Sequence, residues 1–256
     1  MGFGVSWRVV AGSATGTSHT ATGLPCQDSC WAQVDVPAGK TPVLSVFVAD
    51  GAGSAQHGGE GAEIAIKAAA EFMQKKLALT EFGLGDDFAV DCVMAVRAAL
   101  FSAAEKERVR AREFACTFLG VVSTNQGTLI MQIGDGGIVI DIGNGLEVPI
   151  VPMSGEYANM THFVTDEDAV DRLESRAFSQ PVVKAAAFSD GVQRLALQMD
   201  TNTAYEPFFS PFFKVLSTAT AEQEDQLQDA LMRFLNSEAV NDRTDDDKTL
   251  ALAVLV

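Results

Sequence analysis

The sequence predicts an α+β fold in which packed sheets carry helices on their outer sides. Three observations lead there. Apolar, strand-like runs gather towards both ends of the chain, two long helical stretches lie between the first groups, and nothing alternates strand with helix as a parallel sheet would require. No Pro/Gly-rich linker, internal repeat or low-complexity stretch divides the 256 residues, so residues 1–256 read as a single domain.

The elements follow in order. Runs 7–14, 31–36 and 43–49 are apolar or alternating and bounded by Gly and Pro, which predicts strands. Residues 62–79, AEIAIKAAAEFMQKKLAL, are rich in helix formers with apolar positions recurring at three and four, and 88–110 form a second such stretch. Runs 116–123, 127–133 and 137–142 come in quick succession. Their connections, Thr124-Asn125-Gln126 and Gly134-Asp135-Gly136, are turn-like, which predicts an antiparallel meander. Residues 143–180 hold prolines and glycines with no lasting period; so long a surface excursion is usually functional or mobile. A strand at 182–188, a helix at 222–235 and an apolar strand at 249–256 complete the chain.

Composition narrows the function. At 47% hydrophobic and 20% charged residues the chain can bury a sizeable core. No apolar window is long enough for a membrane helix, and the start lacks a secretory signal, so the expected location is the cytoplasm, without a membrane partner. Met1-Gly2 opens only a loose myristoylation-like pattern. Thirty-four acidic against eighteen basic residues give a net charge of −16, which repels a phosphate backbone and argues against nucleic acid. Cys26 and Cys30 lack the second pair that a zinc site needs, while Cys92 and Cys116 sit in apolar runs and read as buried thiols.

Four segments share one design: an apolar strand joined to Asp at a sharp turn. They are Val48-Ala49-Asp50-Gly51, Ile133-Gly134-Asp135-Gly136, Phe188-Ser189-Asp190-Gly191 and Asp245-Asp246-Asp247-Lys248-Thr249. One Asp-Gly alone is most often a hairpin turn. Four such segments, three of them with Asp-Gly, plant carboxylates on the rim of a rigid core, which is what hard cations such as Mg²⁺ or Mn²⁺ need. No His or Cys stands within these segments to suggest a softer metal.

The order of motifs resembles the metal-dependent serine/threonine protein phosphatases of type 2C, in their bacterial form. Pro25-Cys26-Gln27-Asp28 is similar to the family's early acidic motif, Asp50-Gly51-Ala52-Gly53 to its Asp-Gly-x-Gly, and Phe114-Ala115-Cys116-Thr117 to its Ala-x-Thr strand. Gly134-Asp135-Gly136, Ser189-Asp190-Gly191-Val192 and Asp246-Asp247-Lys248-Thr249 follow as Gly-Asp-Ser, Ser-Asp-Gly-Val and Asp-Asn-x-Thr. The resemblance implies a four-layer α-β-β-α sandwich, two central antiparallel sheets flanked by helices, with two Mn²⁺ or Mg²⁺ ions in a cleft. It implies that Asp50 bridges the ions, that the Gly51 carbonyl binds one, and that Asp190 and Asp246 hold the other. Asp28 would orient water from behind, Asp135 would help bind a third, looser ion, and 143–180 would be the family's flap. The implied reaction is hydrolysis of phosphoserine or phosphothreonine in proteins by in-line attack of a hydroxide bridging the metals. Phosphoproteins and a cognate Ser/Thr kinase are the implied partners.

The departures concern the phosphate side. Gly23 stands where the family has a phosphate-gripping Arg, which leaves His19 and Ser18 as candidates for that contact, against a plain turn role. Gln27 replaces an acid and is a weaker metal ligand. Ala52 stands where some relatives carry a general-acid His, and His57 is the nearest substitute. These losses keep a second reading open, a catalytically weak relative acting as a phospho-sensing or adaptor module. A nucleotide-binding loop at 51–56 fails for lack of the third glycine and of Gly-Lys-Ser/Thr.

Overall fold

Strand β3 (Val43–Asp50) sets the plan of the molecule. Its Leu44, Val46 and Val48 join one apolar cluster, while Val43, Phe47 and Ala49 join another. Side chains alternate along a strand, so a run can be apolar throughout only where both faces of its sheet are covered. The structure is a computed structural model and describes residues 6–79, 81–152 and 161–256. Met1-Gly2 and the middle of the expected flap, 153–160, lie outside the described residues.

One sheet runs β2 (Asp28–Asp35), β3, β4 (Phe118–Thr124), β5 (Gly127–Ile133) and β7 (Glu174–Phe178). The other runs β1 (Trp7–Ala14), β11 (Lys248–Leu255), β8 (Lys184–Phe188) and β6 (Gly137–Asp141). All neighbours are antiparallel. The sheets face each other with Val46, Val48, Leu119, Val121 and Ile130 of the first against Ile138, Ile140 and the small Ala185, Ala187, Ala251 and Ala253 of the second. Helices α2 (Gly58–Leu77) and α3 (Asp86–Glu107) cover the outer face of the first sheet through Ala62, Ala65, Ala69, Phe72, Val93 and Leu100. Helices α4 (Asp190–Ala196), α5 (Glu206–Thr218) and α6 (Glu224–Leu235) cover the second through Val192, Phe209, Phe213, Leu231 and Leu235. Short α1 (Thr17–Thr22) and α7 (Glu238–Asn241), the hairpin of β9 (Leu197–Gln198) with β10 (Thr203–Ala204), and 3-10 turns at Ala111–Phe114 and Ala221–Gln223 complete the described elements. The result is the expected four-layer sandwich, with Cys92 and Cys116 buried as expected.

The expected meander is corrected. Strand β6 does not pair with β5; it pairs with β8 in the opposite sheet, Gly137 opposite Phe188. Gly134 and Gly136, with φ of 95° and 90°, turn the chain out of one sheet and into the other. The excursion at 143–180 is partly regular, since β7 pairs along β5. Its residues are half-exposed on an edge strand, so no apolar run announced it. Helix α5 was not expected either. Its Pro207 lies in the first turn, where no donor is needed, and Pro211 leaves only the first-turn carbonyl of Pro207 without its intrahelical partner. Phe209 and Phe213 face the sheet and stack at 5.9 Å between centroids.

Candidate metal centre

Four chain crossings meet at one end of the two sheets. Asp50 closes β3 and lies directly opposite Asp28, the first residue of β2. The Asp50 N–H donates to Thr117 Oγ1 at 3.0 Å, and the Asp50 carbonyl accepts the Thr117 N–H at 2.8 Å. Thr117 therefore locks the strand end at the point where it leaves the sheet. Gly51 follows, donating its N–H to the Gln27 carbonyl at 3.0 Å. A Cβ on Gly51 would run into the backbone of Gly58, where α2 begins, so only glycine lets the chain pass here.

Asp190 opens α4 and Asp246 precedes β11. These two, with Asp50, Gly51, Asp135 and Gln27, line a single cavity of about 190 Å³ together with His19, Thr117, Thr161, Phe163 and Asp247. The candidate ligands are thereby brought together from segments far apart in the chain. Asp28 stands behind the cavity wall. Its Oδ2 accepts the hydroxyls of Ser189 at 2.7 Å and Thr249 at 2.8 Å.

The crowding of carboxyls has an electrostatic signature. Burial above all raises Asp50 well beyond the carboxylate range, helped by Asp28, Asp190, Asp135 and Asp246. Burial likewise lifts Asp28 to about 7, although the Ser189 and Thr249 hydroxyls work against the rise. Asp190 is pushed up to about 6 by burial, then by Asp135 and Asp246. Such carboxyls resist ionising until positive charge arrives, and among the described residues no Lys or Arg side chain lines the cavity to supply it.

The residues fit a hard divalent cation. Every candidate donor is an oxygen, from Asp50, Asp190, Asp246, Asp135, the Gln27 amide or the Gly51 carbonyl. Asp28 Oδ1 and Asp190 Oδ1 are buried with no hydrogen-bond partner, the kind of orphaned acceptor that a cation and its water satisfy. Among the described residues no three Asp, Glu, His or Cys side chains are already gathered into a closed cluster. Mg²⁺ does not demand one, because it usually keeps several waters and takes only one or two carboxylates.

The family model for Protein phosphatase 2C matches residues 15–236. The chain belongs to the protein phosphatase 2C family. A curated relative, serine/threonine-protein phosphatase 3 of Escherichia coli (strain K12), is 55% identical over 98% of this chain and 99% of its own length. Among solved structures, the catalytic domain of the serine threonine protein phosphatase PstP, in complex with 2 manganese ions, superposes with a TM-score of 0.64 at 15% identity, covering 98% of this chain and 99% of that one. Stp1 from Staphylococcus aureus gives 0.62 at 14% identity, over 99% and 97%. At these identities the two structures speak for the fold.

Of the residues expected on the phosphate side, His19 lines the cavity and Ser18 does not. Gly23 ends α1 with φ 75° and has open space around it, so nothing there grips a ligand. The Ser18 hydroxyl is spent on the Asp245 carbonyl at 2.7 Å and does not join the cavity. His57 stacks on Phe114 at 4.8 Å and meets Glu60 at 3.2 Å, away from the cavity lining. His19 does line it, so the aspartates are accompanied by one imidazole that their own segments did not contain.

Several site residues were not singled out beforehand. Asp247, at the Asn position of the closing motif, accepts the Gly16 N–H at 2.6 Å and the Gln27 N–H at 2.5 Å, and so ties the 16–27 loop to β11. Ser189 and Thr249 serve Asp28, and Thr161 donates to Asp135 Oδ2 at 2.6 Å. The first three lay inside quoted motifs, so their position was visible although their partners were not. Thr161 carried no signal at all.

Proposed function

We propose that this chain is a metal-dependent serine/threonine protein phosphatase that hydrolyses phosphoserine and phosphothreonine in proteins. The observation carrying this reading is the convergence of Asp50, Asp190, Asp246 and Asp135 on one cavity, with the Asp50 and Asp190 carboxyls held towards the protonated form by burial and by their neighbours. Asp50 and the Gly51 carbonyl would hold one ion, Asp50, Asp190 and Asp246 a second, and Asp135 a third and looser one, with Gln27 a weak additional donor. The number of two is supported by the pair of manganese ions named for the PstP structure. Bound there, Mn²⁺ or Mg²⁺ would lower the pKa of water towards neutrality and offset charge on the phosphoryl oxygens.

The chain's own residues prepare that chemistry. Asp28, fixed by two hydroxyls and with Oδ1 unspent, can hold a water in line from behind the cavity. Thr117 and Gly51 keep Asp50 at the strand end, and the packed sheets keep the carboxyls from spreading apart. No Cys-x5-Arg loop or Gly-x-Ser-x-Gly elbow is present, so a covalent phospho-enzyme is not part of the reading. The proteins it acts on would be phosphorylated by a Ser/Thr kinase of the same compartment, which we take to be the cytoplasm. Among the described residues no helix is long and apolar enough to cross a membrane.

The test is turnover of p-nitrophenyl phosphate and of a phosphothreonine peptide with Mn²⁺. Both activities are expected, and both should vanish with EDTA and in Asp50→Asn. Purified protein that binds Mn²⁺ yet turns over neither substrate would overturn the enzyme reading in favour of an adaptor.

A further inference from the structure

Among the described residues, five aspartates line the cavity, Asp50, Asp135, Asp190, Asp246 and Asp247, against a single side chain able to carry positive charge, His19. A phosphomonoester is close to a dianion at neutral pH. Drawing it into a wall of carboxylates calls for a donor on the protein side as well as cations. The other nearby candidates are accounted for. Ser18 is turned onto the Asp245 carbonyl, Gly23 has no side chain, and His57 stacks on Phe114.

His19 is also held in a defined orientation. Asp247 is almost fully buried and receives two backbone N–H donors, from Gly16 on Oδ1 and from Gln27 on Oδ2. His19 Nδ1 meets the same Oδ2 at 2.9 Å. An acceptor at that position fixes the tautomer: the Nδ1 hydrogen goes to Asp247, which leaves Nε2 as the ring's uncommitted polar atom on a residue that lines the cavity. With hydrogen on both ring nitrogens, Nε2–H is a directional donor. An imidazole oriented from behind by a carboxylate is pre-organised, so little entropy is lost when it engages a ligand.

We propose that His19, positioned by Asp247, donates a hydrogen bond from Nε2 to a phosphoryl oxygen of the substrate and is the phosphate-contacting side chain of this cavity. This rests on the phosphatase reading above and adds the residue that recognises the phosphoryl group.

Imidazole NMR tests it without a variant, because the chain holds only three histidines. Inorganic phosphate is titrated into the full chain loaded with Mg²⁺. The His19 ring signals are expected to move saturably, while those of His57, outside the cavity, stay in place. In kinetics, His19→Ala is expected to raise KM for p-nitrophenyl phosphate and for a phosphoserine peptide alike, and to weaken inhibition by phosphate. One lost hydrogen bond to a charged group corresponds to roughly ten- to a hundredfold. His19→Gln, which keeps an N–H donor at a similar reach, should recover part of the loss. A His19 signal unmoved at phosphate concentrations that inhibit turnover overturns the proposal. So does a loss confined to the phosphoserine peptide, which would make His19 a proton donor to the leaving oxygen instead. A protein whose His19 signal responds but which hydrolyses neither substrate sinks the phosphatase reading and leaves the contact standing.

Discussion

Asp190→Asn should make the metal-free protein more stable while destroying its function. Burial and the neighbouring Asp135 and Asp246 lift the Asp190 pKa from 3.8 to about 6 in the folded chain. In the unfolded chain it returns to about 3.9. The folded state therefore holds the extra proton between roughly pH 4 and 6, and stability falls as pH rises through that window, the reverse of a salt-bridged aspartate. A tenfold change in an ionisation constant corresponds to about 1.4 kcal/mol, so an ionised Asp190 costs the fold at most about 3 kcal/mol at pH 7.5. The amide keeps nearly the same shape and can still accept the Gly191 N–H, but carries no charge. In EDTA at pH 7.5 the variant should gain up to about 3 kcal/mol, or roughly 6–12 °C in Tm for a chain of this size. At pH 4.5 the gain should shrink towards zero. With Mn²⁺ at a thousandfold excess over Kd the order should reverse, since wild type then gains about 4.1 kcal/mol and the variant loses one ligand. Urea and thermal unfolding in EDTA and in Mn²⁺ at both pH values measure all four quantities. A metal-free variant no more stable than wild type at pH 7.5 would refute the claim that these carboxyls strain the fold.

Other outcomes follow from the same geometry. Gly191→Ala places a Cβ against the Asp247 carbonyl oxygen and should cost at least about 2 kcal/mol by urea unfolding; a change within about 0.5 kcal/mol would contradict the packing. Ser189→Ala removes a hydroxyl that donates to Asp28 at 2.7 Å and accepts the Thr249 N–H at 3.0 Å. It should cost about 1–3 kcal/mol and lower kcat, because Asp28 loses one of the two bonds that hold its charge. Phe209→Ala, fully buried between α5 and the second sheet, should cost about 3–5 kcal/mol, an amount that would show α5 to be part of the core.

Much of the fold was legible because its signals are local. The 7–14 and 127–133 runs match β1 and β5 residue for residue, and the apolar period of α2 and α3 survives with boundary shifts of a few residues. Where the sequence misled, a non-local fact decided. Gly134-Asp135-Gly136 has the composition of a hairpin turn, yet its two positive φ angles carry the chain between sheets, and only the partner strand β8 distinguishes the outcomes. Helix α5, for which no expectation was formed, tolerates its prolines because they fall within its first turns. Half-exposed β7 borrows its order from β5.

The metal side of the site divides in the same way. The sequence by itself determined that Asp50, Asp135, Asp190 and Asp246 stand at strand ends beside turns, because apolar runs that stop at Asp-Gly, or start just after an Asp cluster, can be read without partners. Only the tertiary structure decided that the four share one cavity, that Asp28 lies behind it on two hydroxyls, and that Asp247 fastens the 16–27 loop and orients His19. The physical reason is distance along the chain: His19 and Asp247 are separated by 228 residues, and their contact arises from the pairing of β1 with β11 and the packing of the two sheets, which no local pattern encodes.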